Sequence, residues 1–402
     1  GSAARVAGTL LLIVACRGES PVRAQDTTIA ALVDSLRPAV ESAVGLPFRE
    51  APRSALRSRD EVRRYLIAKL DEEIPPARAR RIEAAYRLFG MLPDTIAIRP
   101  LLLELLTEQV VGFYDPDSAM LFGVEGGDPM QMRLVLAHEM VHALQGQYLS
   151  LDSLLAPMSG NDRLSAVQAV LEGQATLASL ELLSPDPSVL ADPGFWELYQ
   201  GQVQASQSAM PRFAAAPLIV RAGLIFPYVQ GAQFVNWWHR NHPRDSMPWG
   251  ANLPQSTEHV LHPERYAQRD APVQLRFADS ATNVVFEDGL GELEMLVLTA
   301  VAAGATEVPE RTPLGWGGDR YRVVETESGP AIVWYVVFDT PSAAERFAAT
   351  TGQWLAARRR NGYRSDLSQV EVDGRAGVRW VFAPAPWERW PDHGGRIVLT
   401  AD

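Results

Sequence analysis

The sequence has little cysteine and no excess of positive charge. Its 402 residues contain a single cysteine, Cys16, so no disulfide can form within the chain. The 37 lysines and arginines are outnumbered by 48 acidic residues, which gives a formal net charge of −11. Binding to nucleic acid requires lysine and arginine concentrated against the phosphates. The sequence has no such basic stripe, and we therefore predict no nucleic-acid partner.

The apolar run near the start of the chain is too short to cross a bilayer. It covers residues 6–15 and ends at Cys16. A run of about ten residues suits the core of a signal peptide, whereas a membrane-spanning helix needs about 20. Ile-Val-Ala-Cys at 13–16 resembles a bacterial lipobox. We predict a lipoprotein signal peptide over 1–16, a polar tether over 17–28, and a lipid anchor on Cys16 as the membrane contact.

Two other interpretations of this segment remain open. Val22-Arg23-Ala24 has the small-residue pattern of ordinary signal-peptide cleavage, and residues 6–15 could instead form a buried N-terminal helix. Both cleavage routes predict export. We expect a lipoprotein of the bacterial cell envelope, with a secreted or periplasmic protein as the alternative.

The chain is long enough for two or three domains, at roughly 150 residues each. Apolar residues recur at helical spacing from Ile29 to Val111, and further helix signals cover 129–147 and 163–183. Between them, residues 110–124 have the pattern of two short strands around an Asp115-Pro116-Asp117 turn. These patterns predict a mainly helical domain with a small edge sheet.

The composition changes near Pro309. Strand-like runs follow it, with one helix signal over 342–360 among them. This pattern predicts a sheet with one helix packed against it. We expect an α+β protein with a mainly helical domain over 29–308 and a small α+β domain over 309–402.

A histidine pair with an adjacent glutamate lies in LVLAHEMVHALQGQY (134–148). His138 and His142 are four residues apart, so on a helix both imidazoles leave the same face, with Cβ atoms about 5–6 Å apart. Two such nitrogens can bind one zinc ion at about 2.0–2.1 Å. Glu139 points to another part of the helix rim, where it can take a proton from zinc-bound water. The pattern predicts a Zn²⁺ site with Glu139 as general base.

The same residues could also form a buried helix whose histidines make only structural hydrogen bonds. Two buried histidines on one face are costly unless polar partners satisfy them. The spacing alone occurs by chance, but the uncharged residues on either side favour ligands held rigidly in a domain core.

A catalytic zinc site needs a third protein ligand and an open position for water. Glu172 in AVLEGQATLASL (169–180) is the candidate, because it is a lone carboxylate in an otherwise uncharged helix, 30 residues after His142. Small residues around it allow that helix to pack close to the motif helix. The alternatives are a solvated Glu172 and ligation by Glu181, which stands near the helix break at Pro185.

His138-Glu139-x-x-His142, followed by Glu172-Gly173-x-Ala175, resembles the gluzincin branch of the zincin metallopeptidases. The chain also resembles a group of exported bacterial metallopeptidases that is defined largely by sequence. The segments that carry this second resemblance are GFYDP (112–116), AHEMVHALQGQY (137–148), VLEGQAT (170–176), FPYVQGAQFV (226–235), STEHVLHPERY (256–266) and GWGGDRY (315–321).

The resemblance covers about residues 88–321 and implies a zincin fold and peptidase chemistry, with no particular substrate. It implies that His138, His142 and Glu172 are metal ligands and that Glu139 is the general base. The chain departs from the gluzincin pattern in its second shell, because Thr176 stands where an acidic residue would follow Glu172 by four positions.

Four residues are candidates for the donor to the oxyanion that develops at a scissile carbonyl, namely Tyr228, His259, His262 and Tyr266, and we select His262 and Tyr228. His262 ends a short helical signal, from which its ring could face a cleft, and Tyr228 lies in FPYVQG. Structural packing is the alternative for each. GFYDP and the run from Ala119 to Val124 could form an edge strand along which a peptide lies, or a plain hairpin.

The sequence therefore predicts a zinc-dependent peptidase that acts on a peptide or protein outside the cytoplasm. Two other functions stay open: a non-catalytic lipoprotein that binds an envelope protein or peptide, and a zinc amidase that acts on cell-wall material. The oligomeric state is not predicted.

Overall fold

Helices dominate the chain up to Ala302, and strands dominate the part that follows. The computed structural model describes residues 28–155, 160–184, 186–243, 245–309 and 314–400. The predicted signal peptide with Cys16, and the predicted tether apart from Thr28, lie outside the described residues.

The helical part contains thirteen α-helices within the described residues. They are α1 (Ile29–Val44), α2 (Arg59–Glu73), α3 (Pro76–Phe89), α4 (Ile98–Gln109), α5 (Pro129–Tyr148), α6 (Leu151–Leu154), α7 (Asn161–Leu183), α8 (Pro193–Ser208), α9 (Pro211–Ala215), α10 (Leu218–Asn241), α11 (Thr257–Leu261), α12 (Pro263–Gln268) and α13 (Gly291–Ala302). Short 3₁₀ turns lie at Pro187–Ala191 and Gly250–Asn252.

A three-stranded sheet lies within the helical part, in the order β1-β3-β2. Its strands are β1 (Arg53–Arg57), β2 (Gly112–Asp115) and β3 (Met120–Val124). The hairpin of β2 and β3 confirms the two predicted strands, whereas β1, which pairs in parallel with β3, was not anticipated. Because β3 has a neighbour on each side, β2 and not the Ala119–Val124 run provides the edge next to α5.

The C-terminal region is built on a five-stranded antiparallel sheet in the order β5-β6-β7-β9-β8. Its strands are β5 (Val284–Asp288), β6 (Trp316–Thr326), β7 (Gly329–Phe338), β8 (Tyr363–Val372) and β9 (Arg375–Pro384). A second, two-stranded sheet pairs β4 (Leu275–Phe277) with β10 (Ile397–Leu399). The remaining helices are α14 (Pro341–Phe347), continued by a π-helical turn (Ala348–Gly352), α15 (Gln353–Ala356) and α16 (Trp390–Gly394).

The predicted fold class is confirmed: the protein is mixed α+β, with a helical N-terminal part and a β-rich C-terminal region. The five-stranded sheet takes β5 from before residue 309 and β6 from after it. The sheet thus uses residues on both sides of the boundary that the composition predicted.

The two helices that carry the candidate ligands are buried on all sides. In α5 every residue from Val135 to Gln145 is buried, and in α7 every residue from Ala166 to Ser179 is buried. A stretch of helix that is buried on every side lies in the core of the protein rather than at its surface. Asp128 starts α5, because its carboxylate accepts the Met130 and Gln131 N–H groups.

Helix α10 packs along α7, and two glycines set how closely they approach. A Cβ atom on Gly173 would lie 2.2 Å from the carbonyl carbon of Gly231, and one on Gly231 would lie 2.1 Å from the Ala169 oxygen. By length and composition α10 could also cross a membrane, but 67% of its most apolar window is buried inside the fold, as in a core helix.

We expect Gly173→Ala to lower the free energy of unfolding by about 1–3 kcal/mol, because the new methyl group must push the α10 backbone away. Gly223→Ala is the matched control, since it lies on α10 with open space around it. That change should raise stability by about 0.5–1 kcal/mol through helix propensity. Urea denaturation measures both, and equal effects of the two substitutions would contradict the close-contact explanation.

Candidate metal centre

Three buried side chains converge between α5 and α7. His138 and His142 come from α5 and Glu172 from α7, and the three are 1%, 9% and 5% exposed. His138 Nε2 lies 3.1 Å from Glu172 Oε2 and 3.1 Å from His142 Nε2. His142 Nε2 lies 3.3 Å from Glu172 Oε2. Each residue offers one ligand atom to a common point, and together they could hold a metal ion.

Helical spacing and helix packing place these groups. The i, i+4 relation puts both imidazoles on the α5 face that meets α7. Glu172 is followed by Gly173, at which α7 packs closely against α10. One side of α7 therefore contacts α10, while the Glu172 carboxylate leaves the helix on another side. Glu172 completes the group of three, and the alternative ligand Glu181 does not belong to it.

Burial and mutual charge act in opposite directions on the protonation of these groups. Burial lowers the pKa of His138. Burial acts in the same direction on His142, but the charge of the neighbouring Glu172 carboxylate outweighs it and raises the pKa of His142. Burial opposes the charge of Glu172, yet both histidines hold its pKa well below its usual range. Glu172 is therefore a carboxylate, which is the protonation state that a metal ligand needs.

Glu139 lies beside the three candidate ligands and makes contacts of its own. Its Oε2 accepts a hydrogen bond of 2.8 Å from the backbone N–H of Tyr114 in β2. Its Oε1 is buried and has no hydrogen-bond partner among the described residues. Burial raises the pKa of this carboxyl to about 8. One oxygen is thus anchored by the backbone, and the other is the one that can exchange a proton with a neighbouring group.

Tyr228 reaches this centre. Its ring, carried by α10, stacks on the ring of His138 with 5.9 Å between centroids, and it is 1% exposed. His262 instead lies with its Nε2 3.1 Å from Glu292 Oε2 and its Nδ1 3.7 Å from Glu264. The contacts found for His262 in the described chain include none with the three candidate ligands.

Two residues at the centre were missed by the sequence reasoning. Tyr114 supplies the amide that holds Glu139, and Gln145 places its Oε1 atom 2.9 Å from His142 Nδ1. Gln145 did carry a signal, because it is a polar residue one turn after His142 that directly follows the apolar Ala143 and Leu144. Tyr114 carried none, since its backbone and not its side chain makes the contact.

Comparison with known proteins informs only the C-terminal region. Residues 280–387 match a family described as a domain of unknown function (DUF8575). No curated protein and no solved structure matches the chain. The matched segment runs from before β5 to beyond β9, so all three candidate ligands lie outside it.

We expect Glu172→Ala to weaken metal binding by at least ~100-fold, because removal of a direct ligand should exceed the 10–100-fold effect typical of outer-shell changes. Glu181→Ala, on the same helix, should bind metal like the unaltered protein. Metal content after dialysis, measured by mass spectrometry, gives the comparison. Retention of metal by Glu172→Ala at the unaltered level would exclude this carboxylate as a ligand.

Proposed function

We propose that the protein is a zinc-dependent peptidase that hydrolyses peptide bonds outside the cytoplasm. The observation that carries the proposal is that two buried carboxyl groups make different contacts. Glu172 faces the two histidines, whereas Glu139 stands beside them with one oxygen unpaired among the described residues. A purely structural metal site has no need of the second carboxyl group, but a hydrolytic one needs a base.

The donor set supports zinc. Two imidazole nitrogens and one carboxylate oxygen are a ligand set that catalytic zinc sites use, with a fourth position left for water. Ligand atoms at roughly 2.0–2.1 Å from a tetrahedral zinc ion lie about 3.3 Å from one another. The separations of 3.1, 3.1 and 3.3 Å agree with that value. Bound zinc would lower the pKa of a coordinated water to roughly 7 and so supply a nucleophile at neutral pH.

The chain itself would move the proton. Glu139 accepts the proton of the attacking water on Oε1 and returns it to the leaving amine, so that the carboxyl group ends each turnover as it began. The Tyr114 amide holds Oε2 throughout and limits rotation of the carboxyl group. Tyr228, beside His138, is the better placed of the two proposed oxyanion donors, because His262 lies against Glu292.

The position of β2 favours a peptide as substrate. In an antiparallel pair only alternate residues bond to the neighbouring strand, and the N–H of Tyr114 is turned away from β3 towards Glu139. A peptide bound alongside β2 would lie beside the proposed base, and it would not pair with the Tyr114 N–H, because Glu139 already accepts that hydrogen bond. Export, with an anchor at Cys16 as the preferred route, is part of the same proposal.

We expect Glu139→Gln to lower kcat on a mixed peptide pool by roughly 10²–10⁴-fold, since it removes the base. Zinc content should stay at the level of the unaltered protein, because Glu139 is not a ligand. Mass spectrometry of the cleaved pool and of the bound metal tests both statements. Full proteolysis by a zinc-loaded Glu139→Gln variant would overturn the mechanism.

Tyr228→Phe separates the two oxyanion candidates. If Tyr228 donates to the oxyanion, the loss of its hydroxyl should reduce kcat by roughly 10²–10³-fold and leave zinc binding intact. His262→Ala is the comparison: it should lower the unfolding midpoint, because Glu292 would stay buried without its partner. The folded fraction of that variant should keep the kcat of the unaltered protein. A reversed pattern of kcat losses would assign the role to His262.

A further inference from the structure

We propose that Gln145 is a positioning residue that fixes the tautomer and ring orientation of His142 for metal binding. Gln145 is itself held by α7, through the Leu171 carbonyl and the Gln174 side chain. The inference rests on the metal-binding part of the proposed function and does not depend on peptidase activity.

The orientation of the Gln145 amide follows from its partners. One of its terminal atoms lies 3.0 Å from the Leu171 carbonyl oxygen and 3.0 Å from Gln174 Oε1. A backbone carbonyl can only accept a hydrogen bond, so the atom that faces it must be the amide nitrogen. The other terminal atom, which faces His142 Nδ1 at 2.9 Å, is therefore the oxygen.

This orientation determines which nitrogen of His142 carries a proton. The Gln145 oxygen can only accept, so His142 Nδ1 must donate. In a neutral imidazole with a protonated Nδ1, the lone pair is on Nε2. Nε2 is also the atom that lies 3.3 Å from Glu172 Oε2 and 3.1 Å from His138 Nε2. The hydrogen bond on one side of the ring thus prepares the nitrogen on the other side as a ligand.

Burial makes this arrangement hard to replace. Gln145 is fully buried and Gln174 is 2% exposed. Both N–H bonds of the Gln145 amide are used, one by a backbone carbonyl and one by a side chain. Solvent cannot readily take over the contact with His142, so the effect of losing Gln145 should be large.

The other histidine has no comparable support. His138 Nδ1 is buried and has no hydrogen-bond partner within the described part of the chain, and the same holds for Thr176 Oγ1, one turn after Glu172 on α7. The two imidazoles therefore differ: the Gln145 amide holds the ring of His142, whereas the packing of Tyr228 holds the ring of His138. This difference concentrates the outer-shell contribution to metal affinity in Gln145.

The test measures the dissociation constant of Zn²⁺ by competition with a chromogenic chelator, for the unaltered protein and three variants. Gln145→Leu removes the amide that accepts from His142 and should weaken zinc binding by roughly 10–100-fold. Gln174→Leu removes one of the two anchors and should have a smaller effect in the same direction. Gln168→Leu is the matched control, because Gln168 is also a buried glutamine on α7, 4% exposed, whose Oε1 has no partner among described residues. Its affinity should not change.

A second measurement reads the hydrogen bond directly. The zinc-loaded protein should show a slowly exchanging Nδ1–H resonance of His142 in proton NMR, and Gln145→Leu should lose it. Gln145→Met keeps the length of the side chain but lacks the amide, so it should also lose the resonance and serves if the leucine variant does not fold.

The outcomes separate this inference from the proposed function. Unaltered protein that binds no Zn²⁺ would overturn the proposed function. Zinc binding that is equally tight in the unaltered protein and in folded Gln145→Leu would overturn the role of Gln145 alone. Equal losses in Gln145→Leu and Gln168→Leu would also overturn it, because any buried glutamine would then have the same effect.

Discussion

The removal of the Glu172 carboxylate from water is the constraint on which the rest of the centre depends. An isolated buried charge costs several kcal/mol even after the protein relaxes around it. Glu172 is 5% exposed, and two histidine nitrogens within 3.3 Å offset this cost. A carboxylate held between two imidazoles is also a ligand set, so the arrangement that makes the burial tolerable is the one that would receive a cation.

The same constraint accounts for residues that have no chemistry of their own. The carboxylate meets the histidines only if α7 lies close to α5, and α7 is held on another side by α10 at a distance that tolerates no side chain at Gly173 or Gly231. The glycine after Glu172 therefore belongs to the packing and not to the reaction. Gln145 has a similar place, since it joins α5 to α7 through hydrogen bonds where the histidines face the carboxylate.

The sequence predicts the centre where spacing along one helix decides the geometry, and fails where contacts come from elsewhere in the chain. His138 and His142 follow from the helical period, and Glu172 from its isolation in an apolar helix. The amide of Tyr114 could not be predicted, because β2 reaches Glu139 only through the packing of a strand on a helix. The strand β1 was missed for the same reason: its partner β3 lies more than 60 residues further along the chain. The contact of His262 with Glu292, 30 residues away in the sequence, could not be predicted either.

The C-terminal region also affects the position of Glu172, although none of the three candidate ligands lies in it. Helix α7 begins at Asn161, whose backbone N–H donates to Asp288 at the end of β5 and whose side chain donates to Glu294 in α13. Helix α13 is in turn fixed to the five-stranded sheet by Asp319. That carboxylate accepts hydrogen bonds from the backbone N–H groups of Leu290 and Gly291 at the start of α13. It also accepts from the indole N–H groups of Trp316 and Trp334 in the sheet.

Each of these contacts is buried or half-buried, so the positions of the sheet and of α7 are coupled through polar groups that would be costly to leave unpaired. The segment that matches a domain of unknown function thus supports the first turn of the helix whose middle carries Glu172. In the proposed chemistry this region would position α7.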